Sequence, residues 1–367
     1  MTGRSDVPGS QEYGCRLEDL RRVDADRFGG KSSSLGELLA AGIAVPPGFA
    51  LSTAAFAAFL DEAGLRAVVD RELASLSIND VRSVQAACAR IGEAIGSAPV
   101  PGVVRELIER GYGELARATG QEAPPVAVRS SALGEDSEHA TFAGQQETFL
   151  WVTEARGVIT AVRDCWASLY SPTAVTYRAR VGPAGRVPAM GVAVQVMVDA
   201  LISGVMFTCN PVTGDPSTIA VNASWGLGEA VVAGEVTPDE YLLSKVTGEV
   251  LRERIGAKLV EHVPAPAGGG TVRRDVPPER RDVACLSTDG LNALAELAAR
   301  VQRHFGGHQD IEWAIARTGT PGHPLVLQSR PVTAVLARAP KPAARSALSL
   351  VMGTFGADRP PGEDRGT

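Results

Sequence analysis

Apolar positions along the chain switch between helical and strand spacing, and the switches divide it into elements. Residues 32–41 keep helical spacing and stop at Gly42, and the Val-Pro-Pro-Gly-Phe run at 45–49 breaks the pattern before Thr53, a residue suited to cap a new helix. Residues 80–96 and 101–119 continue the helical pattern, so the first part of the chain reads as helix-rich. At Val126 the character changes. Residues 126–130 alternate as a short strand, a loop of Gly, Glu, Asp and Ser follows, and 148–152 return as a second apolar run before a helical stretch at 153–170. Strands are then expected at 192–198, 204–209 and 219–223, with a hairpin over 241–252 turning at Thr247-Gly248. A helix at about 287–305 precedes a final hairpin that pairs 309–315 with 325–331. With no internal repeat, this mixture predicts an α+β fold rather than a βαβ array.

Composition narrows the classes. With 367 residues and 44% hydrophobic content the chain can bury a substantial core. The formal charge of −6, without a Lys/Arg-rich run, gives no general attraction to nucleic acid or anionic lipid. An anionic ligand must then be held by a few placed cations. Five widely spaced cysteines without a Cys-x-x-Cys pair are expected to be reduced and mostly buried. The polar start lacks an apolar signal core and no window reaches the ~18 apolar residues of a membrane span, so a cytoplasmic location is expected.

Candidate chemistry concentrates at the final hairpin. Strand alternation puts Asp310 and Glu312 on one face, with Ile311, Trp313 and Ile315 on the other. The same rule puts Gln328 and Arg330 together, and a turn near Thr320 sets Glu312 opposite Gln328. A carboxylate, an amide oxygen and a guanidinium so grouped suit a Mg²⁺ ion bridging phosphates, with Arg330 gripping one of them. The plainer alternative is a surface ion pair between Glu312 and Arg330.

Three further stretches carry candidates. Gly29-Gly30-Lys31-Ser32-Ser33-Ser34 combines small residues, a helix start and one cation, which suits an anion, although it lacks Walker A spacing; a Gly-rich helix entry with Lys31 solvated is the alternative. Arg129, on a strand entering a Ser/Gly loop that returns through Gly144 and Gln145, is a candidate phosphate clamp with a lid; otherwise it pairs with Glu147 or Asp136. Gln195 and Met197 share a strand face that could border a purine, unless Gln195 merely faces solvent.

Taken in order, the segments 29–31, 126–132, 142–150, 165–169, 204–214, 224–232, 236–241, 309–314 and 327–333 resemble the ATP-binding domain of phosphoenolpyruvate synthase, pyruvate phosphate dikinase and rifampin phosphotransferase. The resemblance implies an ATP-grasp-like fold of two subdomains with a helix-rich N-terminal part. The expected divisions are a flexible N-terminus over 1–16, subdomains over 17–203 and 204–333, and a flexible tail over 334–367. It also implies that Lys31 and Arg129 contact ATP phosphates, that the loop of Gly144 and Gln145 covers them, and that Gln195 lies by the adenine. Glu312 and Gln328 would bind Mg²⁺ and Arg330 a phosphate, with Lys31, Arg129 and Arg330 as the catalytic cations.

In the resembling enzymes the β-phosphoryl group passes to a histidine on a swivelling domain, leaving AMP and Pi. None of His139, His262, His304, His308 and His323 matches that carrier motif, and no histidine follows Thr333. The expectation is a phosphotransferase component acting on a separate histidine-carrier protein or on a small-molecule acceptor. A direct ATP-grasp kinase or ligase for a metabolite or antibiotic, and a non-catalytic nucleotide-binding subunit, are the alternatives.

Overall fold

Alternation at the strand Val126–Ala132 decides how the first half of the molecule is layered: Val126 and Val128 are fully buried among helices, while Ala127 and Arg129 face the opposite way. The computed structural model describes residues 10–132, 147–181, 189–266, 268–318 and 322–332. Within them, strands β1 (Gly14–Arg16), β2 (Gly48–Leu51), β3 (Val126–Ala132), β4 (Thr148–Val152) and β5 (Met190–Val196) form an antiparallel sheet in the order β1-β2-β5-β3-β4.

A second antiparallel sheet gathers β6 (Ala200–Phe207), β7 (Thr218–Trp225), β8 (Asp239–Ser244), β9 (Val250–Arg254), β12 (Gln309–Ala316) and β13 (Pro324–Pro331) in the order β13-β12-β6-β7-β8-β9. Strands β10 (Val260–Pro264) and β11 (Thr271–Asp275) make a separate hairpin. The expected α+β class is what the structure shows.

Helices cover one face of the first sheet. Val81–Ser97 buries Val84, Cys88, Ile91 and Ile95, the i, i+4, i+7, i+11 stripe of an amphipathic helix, and the Asp80 side chain caps it by accepting from the Arg82 amide at 3.0 Å. Ala155–Ser168 inserts Val158, Val162 and Trp166 into the same core, where Trp166 stacks on Phe59 with centroids 5.0 Å apart. Thr53–Glu62 is capped by Ser52, not by Thr53: the Ser52 hydroxyl accepts from the Ala55 amide at 3.4 Å, one turn on.

Over the second sheet lies Thr288–Phe305, where Ser287 caps the start, Gly306 closes the end at φ 73°, and Leu291, Leu294, Ala298 and Val301 face the strands. The same core takes in Leu17, Leu20, Phe28, Leu35 and Leu38 from the first forty residues, so the helix Gly30–Ala40 is wedged between the two sheets. The second sheet begins at Ala200, a few residues before the division expected at 203/204. Residues 14–16, assigned by the sequence to a flexible start, pair with Gly48–Leu51, because Leu17 just beyond them is fully buried and ties that strand to the body.

Behind β8, Asp239 and Lys258 form an ion pair with both side chains fully buried. The carboxylate also accepts from the Gly256 amide at 3.0 Å and the Cys285 amide at 2.8 Å, which offsets part of the cost of desolvating it. Four of the five cysteines are buried and all five are free thiols, as the spacing led one to expect.

Candidate functional site

The hairpin β12–β13 pairs Glu312 with Gln328 and Asp310 with Arg330, and a bulge follows between Glu312 and Trp313. Ile311 and Trp313 are fully buried in the core beneath, so Asp310 and Glu312 stand on the other face, as alternation requires. Arg330 donates from Nε to Asp310 Oδ2 at 2.9 Å. Burial lifts the Asp310 carboxyl above the usual carboxylate range, and Arg330 draws it back down.

Arg129 crosses from the first sheet to this face. Its guanidinium donates to Glu312 Oε2 at 3.2 Å, Gln328 Oε1 at 3.2 Å and the Leu327 carbonyl at 3.4 Å, while its buried Nε has no partner among the described residues. The side chains of Arg129 and Glu312 are 15% and 26% exposed, so the pair is screened far less than a surface one. Two alternatives left open by the sequence are thereby corrected: Arg129 bonds Glu312 instead of Glu147, because the two sheets meet there, and Arg330 bonds Asp310 instead of Glu312, because the hairpin register sets those two opposite; Asp136, the other partner considered for Arg129, lies outside the described residues.

Lys31 reaches the same edge by a tight approach. Gly29 has φ 82°, and a Cβ there would lie 2.1 Å from the Ser131 carbonyl oxygen, so glycine alone lets the helix start abut β3. The Ser32 amide then donates to Ser131 Oγ at 3.3 Å and Lys31 Nζ to the Ser130 carbonyl at 3.3 Å. On the other flank the Ser34 hydroxyl donates to the Ser329 carbonyl at 2.8 Å. Ser32 and Ser33 keep buried hydroxyls with no partner among the described residues.

Gln195 is 3% exposed and donates to the Pro46 carbonyl at 3.5 Å, which corrects the solvent-facing alternative. Met197, beyond the end of β5, packs into a small apolar cluster with Val198, Leu227, Ala314 and Leu327 from the second half. Gly144 and Gln145 lie outside the described residues. Asp310 joins the candidate set through its bond to Arg330; its signal in the sequence was the i, i+2 relation to Glu312.

The donor chemistry fits one class of ion. Glu312 and Gln328 offer an oxygen each, with Asp310 beside them, and no cluster of three or more His, Cys, Asp or Glu able to hold a metal occurs among the described residues. Two side-chain oxygens of this kind would suit Mg²⁺, which is commonly held by one or two side chains plus phosphate oxygens. No helix among the described residues is long and apolar enough to cross a membrane.

Comparison with known proteins gives the family. The family described as "Pyruvate phosphate dikinase, AMP/ATP-binding domain" matches residues 25–348. A "Probable phosphoenolpyruvate synthase" of Methanothermobacter thermautotrophicus is 43% identical over 89% of this chain and 47% of its own length. The "Phosphoenolpyruvate synthase" of Escherichia coli is 37% identical over 89% of this chain and 42% of its own, and that of Pyrococcus furiosus 37% over 86% and 43%. The chain therefore spans less than half the length of these relatives. The match over residues 25–348 shows that the chain belongs to the family of the pyruvate phosphate dikinase AMP/ATP-binding domain, with the ATP-grasp-like fold of that family.

Proposed function

We propose that this chain binds Mg-ATP between its two sheets and supports transfer of the β-phosphoryl group to a carrier histidine outside the described residues, with AMP leaving from the α–β linkage and water taking the γ-phosphoryl group as Pi. The observation that carries this is the convergence of Arg129 on Glu312 and Gln328 from the opposite sheet, at 3.2 Å to each. Lys31 and Arg129 would grip phosphate oxygens from the first-sheet side and Arg330 from the hairpin, oriented by Asp310. Glu312 and Gln328 would hold Mg²⁺, whose charge offsets that of the phosphates. No base-nucleophile pair is needed, because phosphoryl transfer of this kind relies on positioning and charge neutralisation.

An acceptor from outside is favoured by the partners of three of the four histidines among the described residues. His262 lies between Glu229 and Glu235 at 2.9 Å from each, His304 contacts Glu37, and His308 bonds the Thr208 carbonyl, all remote in role from a mobile carrier. The relatives named phosphoenolpyruvate synthase support pyruvate phosphorylation as the overall reaction served.

The test uses ATP labelled at the β- or γ-phosphate, incubated with the chain and a candidate histidine carrier. Label from the β position on the carrier, with AMP and Pi released, is the expected result. ADP with a phosphorylated small molecule would instead favour a direct kinase. Absence of turnover with every carrier, together with equal nucleotide binding by wild type and Lys31→Ala, would sink the proposal.

A further inference from the structure

We infer that Ser34 is a positioning residue for Arg330: its hydroxyl, bonded to the strand that carries Arg330, sets that guanidinium at a fixed reach from Lys31; this rests on the Mg-ATP site proposed above. β13 is the outermost strand of the second sheet, so one row of its backbone groups has no strand to pair with. Residues from the first half of the molecule take up that row. The Val326 amide donates to the Ala44 carbonyl at 2.9 Å, the Leu327 carbonyl accepts from Arg129 at 3.4 Å, and the Ser329 carbonyl accepts from the Ser34 hydroxyl at 2.8 Å. Glu312 pairs with Gln328 and Trp313 with Val326, so Leu327 is the extra residue of a bulge, and beyond it the carbonyls on the open edge are those of Leu327 and Ser329.

Each cation proposed to grip phosphate lies on, or next to a residue held by, the opening turn of one helix. The helix Gly30–Ala40 carries Lys31 itself, and its Ser32 amide donates to Ser131 Oγ, two residues after Arg129. Ser34, three positions beyond Lys31 and so its neighbour on one helix face, reaches Ser329, the residue before Arg330. The turn is therefore a spacer between β3, with Arg129, and β13, with Arg330. Of the three consecutive serines, Ser34 has this bond, whereas the buried hydroxyls of Ser32 and Ser33 have no partner among the described residues. The receiving residue is itself fixed: Ser329 is buried, and its hydroxyl donates to Gln309 Oε1 on β12 at 3.0 Å.

The Ser34 bond counts most once phosphate is bound. One guanidinium, that of Arg129, makes the contacts to Glu312, Gln328 and the Leu327 carbonyl, so all three are lost together when it turns to phosphate. The bonds from Ser34 to Ser329 and from Val326 to Ala44 involve no phosphate ligand and persist, and the first of them adjoins Arg330 directly. A chain of three phosphates gripped by Lys31 near one end and Arg330 near the other needs their separation to match its length. A chain of two can be held from the first-sheet side by Lys31 and Arg129 without Arg330.

The full chain is compared with Ser34→Ala, Ser34→Thr, Arg330→Gln and the Ser34→Ala/Arg330→Gln double variant. Calorimetry with Mg²⁺ present reads binding of inorganic tripolyphosphate, a phosphate chain without a base, and of pyrophosphate. Ser34→Ala should bind tripolyphosphate about three- to tenfold more weakly, as loss of one hydrogen bond predicts, and pyrophosphate within about twofold of wild type. Ser34→Thr, which keeps the hydroxyl, should bind both as wild type does. In the Arg330→Gln background the loss on Ser34→Ala should fall below about twofold, because the two substitutions remove one interaction; a serine that only supports the fold gives no such dependence. Should Ser34→Ala not fold, Ser34→Val, which matches Ser34→Thr in shape but lacks the hydroxyl, gives the same comparison. Wild-type tripolyphosphate affinity in Ser34→Ala, equal losses for the two chain lengths, or an undiminished loss in the Arg330→Gln background overturns the positioning role and leaves the phosphate site standing. A wild type that binds neither polyphosphate removes the Mg-ATP site itself, and the role of Ser34 with it.

Discussion

Arg129 occupies, with a guanidinium, the carboxylate and amide oxygens that a divalent cation would need. On the proposed function, Mg-ATP would turn Arg129 from Glu312 and Gln328 toward phosphate. Arg129→Gln should therefore bind Mn²⁺ alone several-fold more tightly than wild type, while its ATP affinity drops by about tenfold or more. Titration by electron paramagnetic resonance, which counts free Mn²⁺, reads the first quantity without any turnover. Weaker Mn²⁺ binding in the variant would mean that Arg129 supports the metal site instead of competing for it. At this scale the sequence was informative where partners lie on one hairpin: alternation alone placed Glu312 opposite Gln328. It was silent on the Arg129–Glu312 pair, since those residues are far apart in the chain and meet only when two sheets pack. It left Gln195 open between a base contact and a solvent-facing position, and only the second layer that covers that strand face removes the latter.

At the scale of elements, the helix Gly30–Ala40 carries Lys31, the cation proposed to grip phosphate, and its placement depends on Gly29. Gly29→Ala adds a methyl group that meets the Ser131 backbone, which has no rotamer with which to yield, and forces a side chain into φ 82°. A loss of about 2 kcal/mol or more in unfolding free energy is expected, together with weaker tripolyphosphate binding as Lys31 is displaced. Chemical denaturation and calorimetry check the two effects separately. Unchanged phosphate binding in a destabilised variant would show that Lys31 reaches the site without the tight approach. Elements with caps and a full apolar stripe, such as Thr288–Phe305 between Ser287 and Gly306, were legible from residue pattern. The strand Gly14–Arg16, three residues long, and the hairpin strand Thr271–Asp275, exposed at four of its five positions, carry no period to detect. The bulge that sets Leu150 and Trp151 of β4 opposite Ala127 of β3 was equally hidden, since one inserted residue looks like noise in an alternating run.

For the whole molecule, the strands divide between two sheets, but the core beneath the second sheet takes in residues from the first forty positions. Leu35 and Leu38 pack with Leu294, Val301 and Val326, and the Val326 amide bonds the Ala44 carbonyl at 2.9 Å. Leu38→Ala should thus cost about 2–5 kcal/mol and lower the melting temperature of one joint transition. Two resolved transitions in scanning calorimetry, only one of them shifted, would show that the sheets unfold separately. Long-range packing of this kind was beyond pattern reading, which sees a helix's apolar stripe but not what covers it. The wedge helix also has a temporal consequence. At roughly 5–20 residues per second, the ribosome adds the helix that will cover Leu35 and Leu38 about 250 residues after them, a delay of roughly ten to fifty seconds. During that interval the lysine-bearing helix has no finished apolar partner, so nascent chains should be most vulnerable to aggregation and to proteolysis near residues 30–45, and folding of the nucleotide cleft should be a late, slow event.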